Sequence, residues 1–499
     1  MPDLVLSLTA PNGLTYDQPT GLFIGGKFVQ AVSGKTFETI DPATEKRIAS
    51  VSEADADDVD IAVRAARRAL KDPSWATIES SARGLLLLKL ADLAEAHAHQ
   101  LATIEAWDNG KPYQHALAID VNVLVGTFRY YGGFADKIHG DVIETNPNKL
   151  AYTIREPVGV CGQIIPWNFP LAMAAWKLGP ALACGNTVVI KAAEQTPLSI
   201  LYLATLIKEA GFPPGVVNII NGFGREAGAA IASHLDVDKI AFTGSTETGR
   251  QIMKLASINL KNITLETGGK SPLIVFQDAD LVSAVDWAHK GIMFNMGQVC
   301  TANSRIFVHE SVYDKFVFAF IEHVKTVSTV GNPFEDSTFQ GPQVTKAQYD
   351  RVLGYIDTGL SEGATLAYGG KPYKNVNGKG FFIEPTIFTN VKDDMKIYRE
   401  EVFGPFVVIC SFQTEDEAIR RANDTQFGLG SSIFTQDIKR AHKVARAIEV
   451  GMVWINSAGD SDFRIPFGGV KQSGIGRELG EAGLAAYTTI KSVHVNLAA

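Results

Sequence analysis

The 499-residue chain has few cysteines and no long apolar run, and each shortage excludes a class of protein. Its four cysteines are scattered and form no Cys–X–X–Cys pair or Cys/His cluster, so we expect no disulfide framework and no metal site. Few, scattered thiols are typical of proteins in a reducing compartment. The apolar stretches fall well short of the roughly 20 residues that span a bilayer, so we expect no membrane partner.

Clustered basic charge and targeting signals are also missing from the sequence. The 46 Lys and Arg residues are interleaved with 54 Asp and Glu residues, so we expect no nucleic-acid partner. Residues 1–21 contain no arginine and only a short apolar patch, which is typical of neither a secretory signal nor a transit peptide. We therefore predict a cytoplasmic protein.

Short β-branched runs alternate with amphipathic segments, which is typical of an α/β protein. Strands are predicted at residues 159–165, 187–190, 216–220 and 239–242. The helical pattern at residues 198–210 separates two of them, and Gly211 is its expected C-cap. This arrangement predicts a doubly wound parallel sheet. The two earlier helical patterns, at 57–71 and 85–93, are expected to pack on that sheet.

A second α/β unit is predicted to begin near residue 270, with a buried strand at 271–276 and a helix at 281–293. Residues 150–155 and 488–496 alternate between apolar and polar as half-exposed strands do. An uncovered strand edge tends to pair with another chain. We therefore predict a homo-oligomer that assembles through these two segments.

Cys300 differs from the other three cysteines, Cys161, Cys184 and Cys410, which lie in apolar runs and are expected to be buried. It follows a Gly–Gln turn at residues 297–298. A thiolate attacks carbonyl carbon readily and leaves easily afterwards, so this residue suits covalent acyl chemistry. The alternative is a buried structural thiol, which is the commoner interpretation of a lone cysteine.

Three further segments offer a base, an amide and an anion site. Glu266 precedes a Gly–Gly bend between apolar stretches, where partial burial would raise its pKa and make it a better general base. Asn168 directly follows the first predicted strand, where its amide could donate to a developing oxyanion. Residues 242–249 join a strand to a helix whose N-terminus could bind a pyrophosphate. Taken singly, a surface glutamate and a turn asparagine are the commoner interpretations of the first two segments, and the third is equally consistent with a helix cap.

Together these four segments resemble the aldehyde dehydrogenase superfamily. Three more matches follow the family's order: Lys-Ala-Ala-Glu at 191–194, Glu-Glu-Val-Phe-Gly-Pro at 400–405, and Pro-Phe-Gly-Gly-Val-Lys-Gln-Ser-Gly at 466–474. The resemblance runs from about Leu22 to His494 and is greatest to the broad-specificity NAD(P)-dependent group, and to its fungal-type members.

The resemblance implies oxidation of an aldehyde to a carboxylic acid. Cys300 would be the nucleophile that forms a thiohemiacetal and then a thioester, with the oxyanion held by the Asn168 amide and the Cys300 backbone N–H. Glu266 would activate the water that hydrolyses the thioester. Lys177 and Glu478 match positions that line a proton path to this base.

The resemblance also implies a cofactor site. Its expected residues are Ile164, Ile165, Trp167, Lys191, Glu194, Gly224, Gly244, Ser245, Thr248, Gly268, Gln348, Glu401 and Phe403. A carboxylate at Glu194 can accept both ribose hydroxyls but would repel a 2′-phosphate, so NAD is the expected cofactor and NADP the alternative.

The expected substrate is a small-molecule aldehyde in a tunnel. The tunnel residues implied by the resemblance are Phe169, Trp176, Phe294, Val299, Thr301, Ser461 and Phe467. The aromatic side chains favour an apolar aldehyde, and Ser461 replaces a frequent aromatic residue and should widen the entrance. Aryl aldehydes and acetaldehyde both fit this pattern.

The predicted domain division has three parts. Residues 1–138 and 160–269 form an NAD-binding domain, 270–480 a catalytic α/β domain, and 139–159 with 481–499 a small β oligomerisation segment of a dimer or tetramer. Two other activities use the same cysteine. One is a CoA-acylating aldehyde dehydrogenase, which Glu266 disfavours, and the other is a cysteine acyl-transferase or hydrolase working without NAD, which needs a histidine base.

Overall fold

A mixed sheet of eight strands organises the first half of the chain. The computed structural model describes residues 4–374, 376 and 378–498, so residues 1–3, 375, 377 and 499 of the predicted domains lie outside it. The strands, in spatial order, are Gly474–Ile475, Asn262–Glu266, Lys239–Thr243, Val160–Ile164, Thr187–Lys191, Val217–Ile220, Leu22–Ile24 and Lys27–Val29. The five strands from Asn262–Glu266 to Val217–Ile220 are parallel, which confirms the predicted parallel sheet.

Helices cover both faces of this sheet because successive strand residues point to opposite sides. In the strand Thr187–Lys191, Val188 and Ile190 join one apolar core and Val189 joins the other. The covering helices are Ala56–Lys71, Ser80–Ala96, Ala98–Asn109, Asn122–Phe134, Pro170–Ala183, Leu198–Ala210, Ala229–Ser233 and Thr246–Ala256. Gly211 ends the helix Leu198–Ala210 with φ +97°, the left-handed conformation expected of its C-cap.

A second sheet of seven strands forms the other α/β unit. Its strands are, in spatial order, Thr365–Tyr368, Thr386–Thr389, Phe406–Phe412, Arg305–His309, Pro272–Val275, Gly430–Phe434 and Met452–Ile455. All pairs except the first are parallel. The helices Leu281–Met293, Tyr313–Val327, Lys346–Ser361, Lys396–Arg399, Glu415–Asn423 and Ile438–Ala447 accompany it. The predicted strand at 271–276 and helix at 281–293 are both present.

The two alternating segments outside these sheets pair with each other. The antiparallel strands Lys149–Pro157 and Thr488–Asn496 form a three-stranded sheet with Val142–Ile143. Val142 is 79% exposed and Ile490 is 62% exposed, so apolar side chains remain uncovered on its edge strands. Within the ranges that the structure describes, no helix is both long and apolar enough to cross a membrane.

The end of the chain returns to the first sheet. The strand Gly474–Ile475 pairs antiparallel with Asn262–Glu266, although the predicted division assigns it to the second unit. The short helix Gly480–Ala485 then leads into the last strand. The first and second units are therefore joined at the strand that ends in Glu266.

Candidate active site

A cavity of about 630 Å³ lies where three adjacent parallel strands of the first sheet end. The strands Val160–Ile164, Lys239–Thr243 and Asn262–Glu266 lead into lining residues 166–169, 243–245 and 266–268. Residues 299–301, 458, 459 and 461 of the second unit also line the cavity. Open α/β sheets bind ligands at the carboxyl ends of their strands, so the cavity has the position of a ligand site.

Cys300 lies in the cavity wall, half-buried, whereas the other three cysteines are buried. The turn before it is strained, because Asn295 and Met296 adopt φ +49° and +57°. Left-handed residues other than glycine cost about 1–3 kcal/mol each and persist where the surroundings hold them. Here Asn295 Nδ2 donates to the carbonyl oxygens of Asn168 and Gln298, each at 3.2 Å.

Burial raises the pKa of the Cys300 thiol to about 12, and the nearby carboxylates of Glu401 and Glu266 add to this effect. The thiolate, not the thiol, is the nucleophile. In the cofactor-free protein, a base must therefore remove the thiol proton before Cys300 can react.

Alkylation of Cys300 by iodoacetamide should consequently accelerate about tenfold per pH unit from pH 7 to 10, without a plateau. The rate can be followed by mass spectrometry of the cofactor-free protein. The matched Cys300→Ala protein should remain unlabelled on the same timescale, because Cys161, Cys184 and Cys410 are buried. A plateau near pH 8 would show that the thiol has an ordinary or lowered pKa.

Glu266 lies at the end of its strand and is only 2% exposed. Neither carboxyl oxygen has a hydrogen-bond partner among the described residues. Burial raises the pKa of Glu266 well above its usual range, the charge of Glu478 raises it further, and Lys177 and Arg477 oppose the shift. Such a carboxyl group has the pKa direction that a general base at neutral pH requires.

Asn168 is 5% exposed, lines the cavity and contacts the turn before Cys300. Its Nδ2 donates to the carbonyl oxygen of Gln298 at 2.9 Å. An amide nitrogen carries two N–H groups, so the second one remains available to a ligand.

Lys177 and Glu478 form a buried ion pair behind Glu266. Lys177 Nζ lies 2.7 Å from Glu478 Oε1 and also donates to Thr243 Oγ1 at 2.6 Å. The two side chains are 0% and 3% exposed. Thr243 lines the cavity, so the ion pair reaches the cavity wall through the hydroxyl group of this residue.

Seven of the predicted cofactor residues line the cavity: Trp167, Gly244, Ser245, Gly268, Gln348, Glu401 and Phe403. Ser245 caps the helix Thr246–Ala256, and its Oγ accepts from the backbone N–H of Thr248 at 3.2 Å. Eleven residues make this helix long enough for its N-terminal dipole to favour an anion.

The Glu401 carboxylate lies against the main chain at Gly268. A side chain at Gly268 would collide with it, and Gly269 N–H donates to Glu401 Oε1 at 2.9 Å. Burial raises the pKa of Glu401 to about 7. Next to it, Gln348 Nε2 donates to the Phe403 carbonyl oxygen at 2.7 Å, and the Phe403 ring lies edge-on to Trp167 at 5.3 Å.

The other six predicted cofactor residues lie along the same edge of the sheet, beyond the cavity: Ile164, Ile165, Lys191, Glu194, Gly224 and Thr248. Lys191 Nζ lies 3.1 Å from Glu194 Oε2. Ile164 is in register with Lys191 on one side and with Phe242 on the other. These residues therefore extend the cavity as a strip across the carboxyl ends of neighbouring strands.

All seven predicted substrate residues line the cavity: Phe169, Trp176, Phe294, Val299, Thr301, Ser461 and Phe467. The rings of Phe169 and Phe294 stack at 6.2 Å, and those of Trp176 and Phe467 lie 4.8 Å apart. Other residues of the cavity wall were not predicted from the sequence, and they include His115, Ile119, Val123, Met173, Trp287, Lys290 and Phe339. They come from helices and loops without a motif, so no local signal could have identified them.

Comparison with known proteins assigns the family. A profile of the aldehyde dehydrogenase family matches residues 28–493. An aldehyde dehydrogenase from Emericella nidulans is 55% identical over 498 residues, covering all of this chain and 99% of the relative. Human retinal dehydrogenase 2 is 54% identical over 480 residues, covering 96% and 92%.

Solved structures agree with these sequence relatives. The NAD⁺ complex of aldehyde dehydrogenase from Bacillus cereus has a TM-score of 0.94 and 52% identity, with 96% of each chain covered. Matches of this extent include the cavity and every motif described above. The chain belongs to the aldehyde dehydrogenase family.

Proposed function

We propose that this protein oxidises an aldehyde to a carboxylic acid with NAD, through a thioester on Cys300. The observation that carries the proposal is the meeting of Cys300, Glu266 and Asn168 on one cavity at the carboxyl edge of the sheet. None of the three residues is decisive alone. Together they supply a nucleophile, a base and an oxyanion donor, which are the groups that this reaction requires.

The chemistry follows from these positions. The Cys300 thiolate attacks the aldehyde carbon, and the free N–H of the Asn168 amide and the Cys300 backbone N–H stabilise the alkoxide of the thiohemiacetal. Bound NAD would accept the hydride that this alkoxide expels, leaving a thioester on Cys300. Glu266 then removes a proton from water as the water attacks the thioester, and the tetrahedral intermediate collapses to the carboxylic acid and the Cys300 thiolate.

Lys177 and Glu478 are proposed to carry the proton away from Glu266. Their 2.7 Å ion pair and the 2.6 Å bond to Thr243 form a connected network of buried polar side chains. Such a network gives the proton acceptors that a buried base needs, because Glu266 itself has little contact with solvent.

The residues at the carboxyl ends of the strands of the first sheet are suited to binding NAD. Gly268 has no side chain, which lets the Glu401 carboxylate lie against the main chain at the cavity wall, and the Ser245-capped helix faces the cavity as an anion site. We propose that Glu401 and Phe403 hold the nicotinamide ribose and ring, and that Lys191 and Glu194 hold the adenine ribose. NADP is the alternative cofactor.

Replacing Glu194 by glutamine should raise the kcat/KM ratio of NADP to NAD about tenfold or more. Two like charges about 4 Å apart repel by about 1 kcal/mol in water and about 4 kcal/mol near a protein surface, and the substitution removes this repulsion of a 2′-phosphate. Initial rates with both cofactors measure the ratio. The exposed Glu209→Gln variant is the matched control and should leave it unchanged. An unchanged ratio in Glu194→Gln would remove Glu194 from the ribose site.

A panel of aldehydes, each assayed with NAD and with NADP by absorbance at about 340 nm, tests the proposed function. We expect NADH formation, with apolar and aromatic aldehydes favoured by the ring-lined cavity. We expect the product to be the carboxylic acid when no CoA is added. Acyl-CoA formation would instead favour the CoA-acylating reaction, and ester hydrolysis without NADH from any aldehyde would favour a cofactor-independent hydrolase.

We also propose that the protein is a cytoplasmic homo-oligomer, a dimer or tetramer. The uncovered apolar side chains on the edge strands Val142–Ile143 and Thr488–Asn496 support assembly through the three-stranded sheet. A monomer in sedimentation equilibrium at micromolar concentration would contradict it.

A further inference from the structure

A buried ion pair lies directly behind the loop that carries Asn168. Lys111 Nζ lies 2.7 Å from Asp120 Oδ1 and 4.0 Å from Glu105 Oε1, and all three side chains are at most 1% exposed. Desolvation offsets most of the Coulomb attraction in such a pair, so it contributes little net stability over apolar packing. The contacts that this ion pair makes with the Asn168 loop are therefore more informative than its contribution to stability.

Lys111 contacts two consecutive residues of the cavity wall. Its Nζ donates to the backbone carbonyl oxygen of Asn168 at 2.9 Å and lies 4.3 Å from the centroid of the Phe169 ring. Asn295 donates to the same Asn168 oxygen from the other side, at 3.2 Å. The Asn168 side chain is held separately, through its bond to Gln298. The direction of its free N–H depends on all of these contacts.

The loop has few main-chain donors of its own. Pro166 and Pro170 bracket it and carry no N–H. Neighbouring side chains hold it instead: Asn109 Nδ2 donates to the Trp167 carbonyl oxygen at 2.7 Å, and Glu105 Oε1 accepts from Leu171 N–H at 3.3 Å. Side chains from residues 105–120 thus hold the loop from behind, and Lys111 contacts Asn168 at its middle.

We propose that Lys111 is a positioning residue for the oxyanion-binding amide of Asn168, and that Asp120 and Glu105 hold the ammonium group in place. This inference rests on the proposed function. Lys111 lies behind the cavity wall and acts through the backbone of Asn168. A displacement of about 1 Å in a catalytic group can cost about 10²-fold in rate, so losing this support should slow attack and hydride transfer.

The test is Lys111→Met, which keeps the length of the side chain and removes its donors. We expect the single-turnover rate of NADH formation, with enzyme in excess over aldehyde, to fall about 10- to 100-fold. The dissociation constant of NAD should not change. Lys261→Met is the matched control, because Lys261 is also buried and donates to a backbone oxygen, that of Ala232, away from the cavity. It should keep the wild-type single-turnover rate.

A double-mutant cycle separates positioning from general damage. In an Asn168→Ala background, Lys111→Met should change the single-turnover rate less than about twofold, because the amide that it positions is gone. If Lys111→Met does not fold, Asp120→Asn replaces it in the same cycle, with a smaller fall expected.

The outcomes are distinguishable. A wild-type protein that forms no NADH from any aldehyde refutes the proposed function itself. If the wild type is active and Lys111→Met has the same single-turnover rate as the wild type, only the positioning role is refuted. A fall of the same size in both backgrounds also refutes it, because the effect would then be independent of Asn168.

Discussion

Cys300→Ala should abolish aldehyde oxidation while NAD still binds. Alanine cannot form the thiohemiacetal, and removing the nucleophile of a covalent mechanism costs on the order of 10⁴-fold or more in kcat. The proposed cofactor residues lie along the sheet edge and beside Gly268 and Glu401, and this substitution leaves them in place. NADH absorbance measures the rate of aldehyde oxidation, and calorimetric titration measures the binding of NAD.

Cys184→Ala is the matched control for this experiment. Cys184 is 4% exposed in the apolar core on one face of the first sheet, so its replacement should lower stability by about 1 kcal/mol and keep activity. If Cys300→Ala kept more than about a hundredth of the wild-type rate, the thioester mechanism would be wrong.

Glu266→Gln should give one rapid equivalent of NADH per active site, followed by turnover about 10²- to 10⁴-fold slower than in the wild type. Glutamine keeps the shape of the side chain but cannot accept the proton of the attacking water. The thioester therefore forms and then accumulates. Stopped-flow absorbance resolves the burst, and mass spectrometry of the quenched protein should detect the acyl group on Cys300.

The pH dependence of turnover provides a second test of the role of Glu266. Glu266 acts as a base only when ionised, and burial raises its pKa. Wild-type turnover should therefore rise with pH above the usual range of a glutamate, and this rise should be absent in Glu266→Gln. The exposed Glu322→Gln is the control and should keep both the rate and the pH profile. Steady-state turnover at the wild-type level in Glu266→Gln would exclude its role as base.

The regular elements of the fold were largely predictable from local pattern. The strands at 187–190 and 239–242 and the helix at 198–210 are continuous apolar or amphipathic segments, and the structure confirms them to within a residue or so. The strand Asn262–Glu266 was missed because its apolar run is short and ends in a charged residue. The strand Gly474–Ile475 has only two residues, and its partner lies over 200 positions away, so no local pattern could reveal it.

The site was predictable only where residues follow a motif. Cys300, Glu266 and Asn168 lie next to glycine turns or prolines, and the order of these segments along the chain made the resemblance clear. His115 and Lys111 lie in a region with no such motif, and only the packing of residues 105–120 behind the Asn168 loop brings His115 to the cavity and Lys111 to the back of its wall. Long-range packing of this kind leaves no periodic signal in a single sequence.

The pairing of Gly474–Ile475 with the strand of Glu266 has a consequence for biosynthesis. The ion-pair partner of Lys177, Glu478, follows four residues after this strand begins. A nascent chain therefore cannot complete the surroundings of Glu266 until residues 474–478, more than 200 positions after Glu266, have emerged from the ribosome. The first sheet can form its parallel strands early, but a translation product that stops before residue 474 would leave an open sheet edge and a lysine without its counter-ion. The surroundings of Glu266 are thus completed only when a distant part of the chain joins the two units.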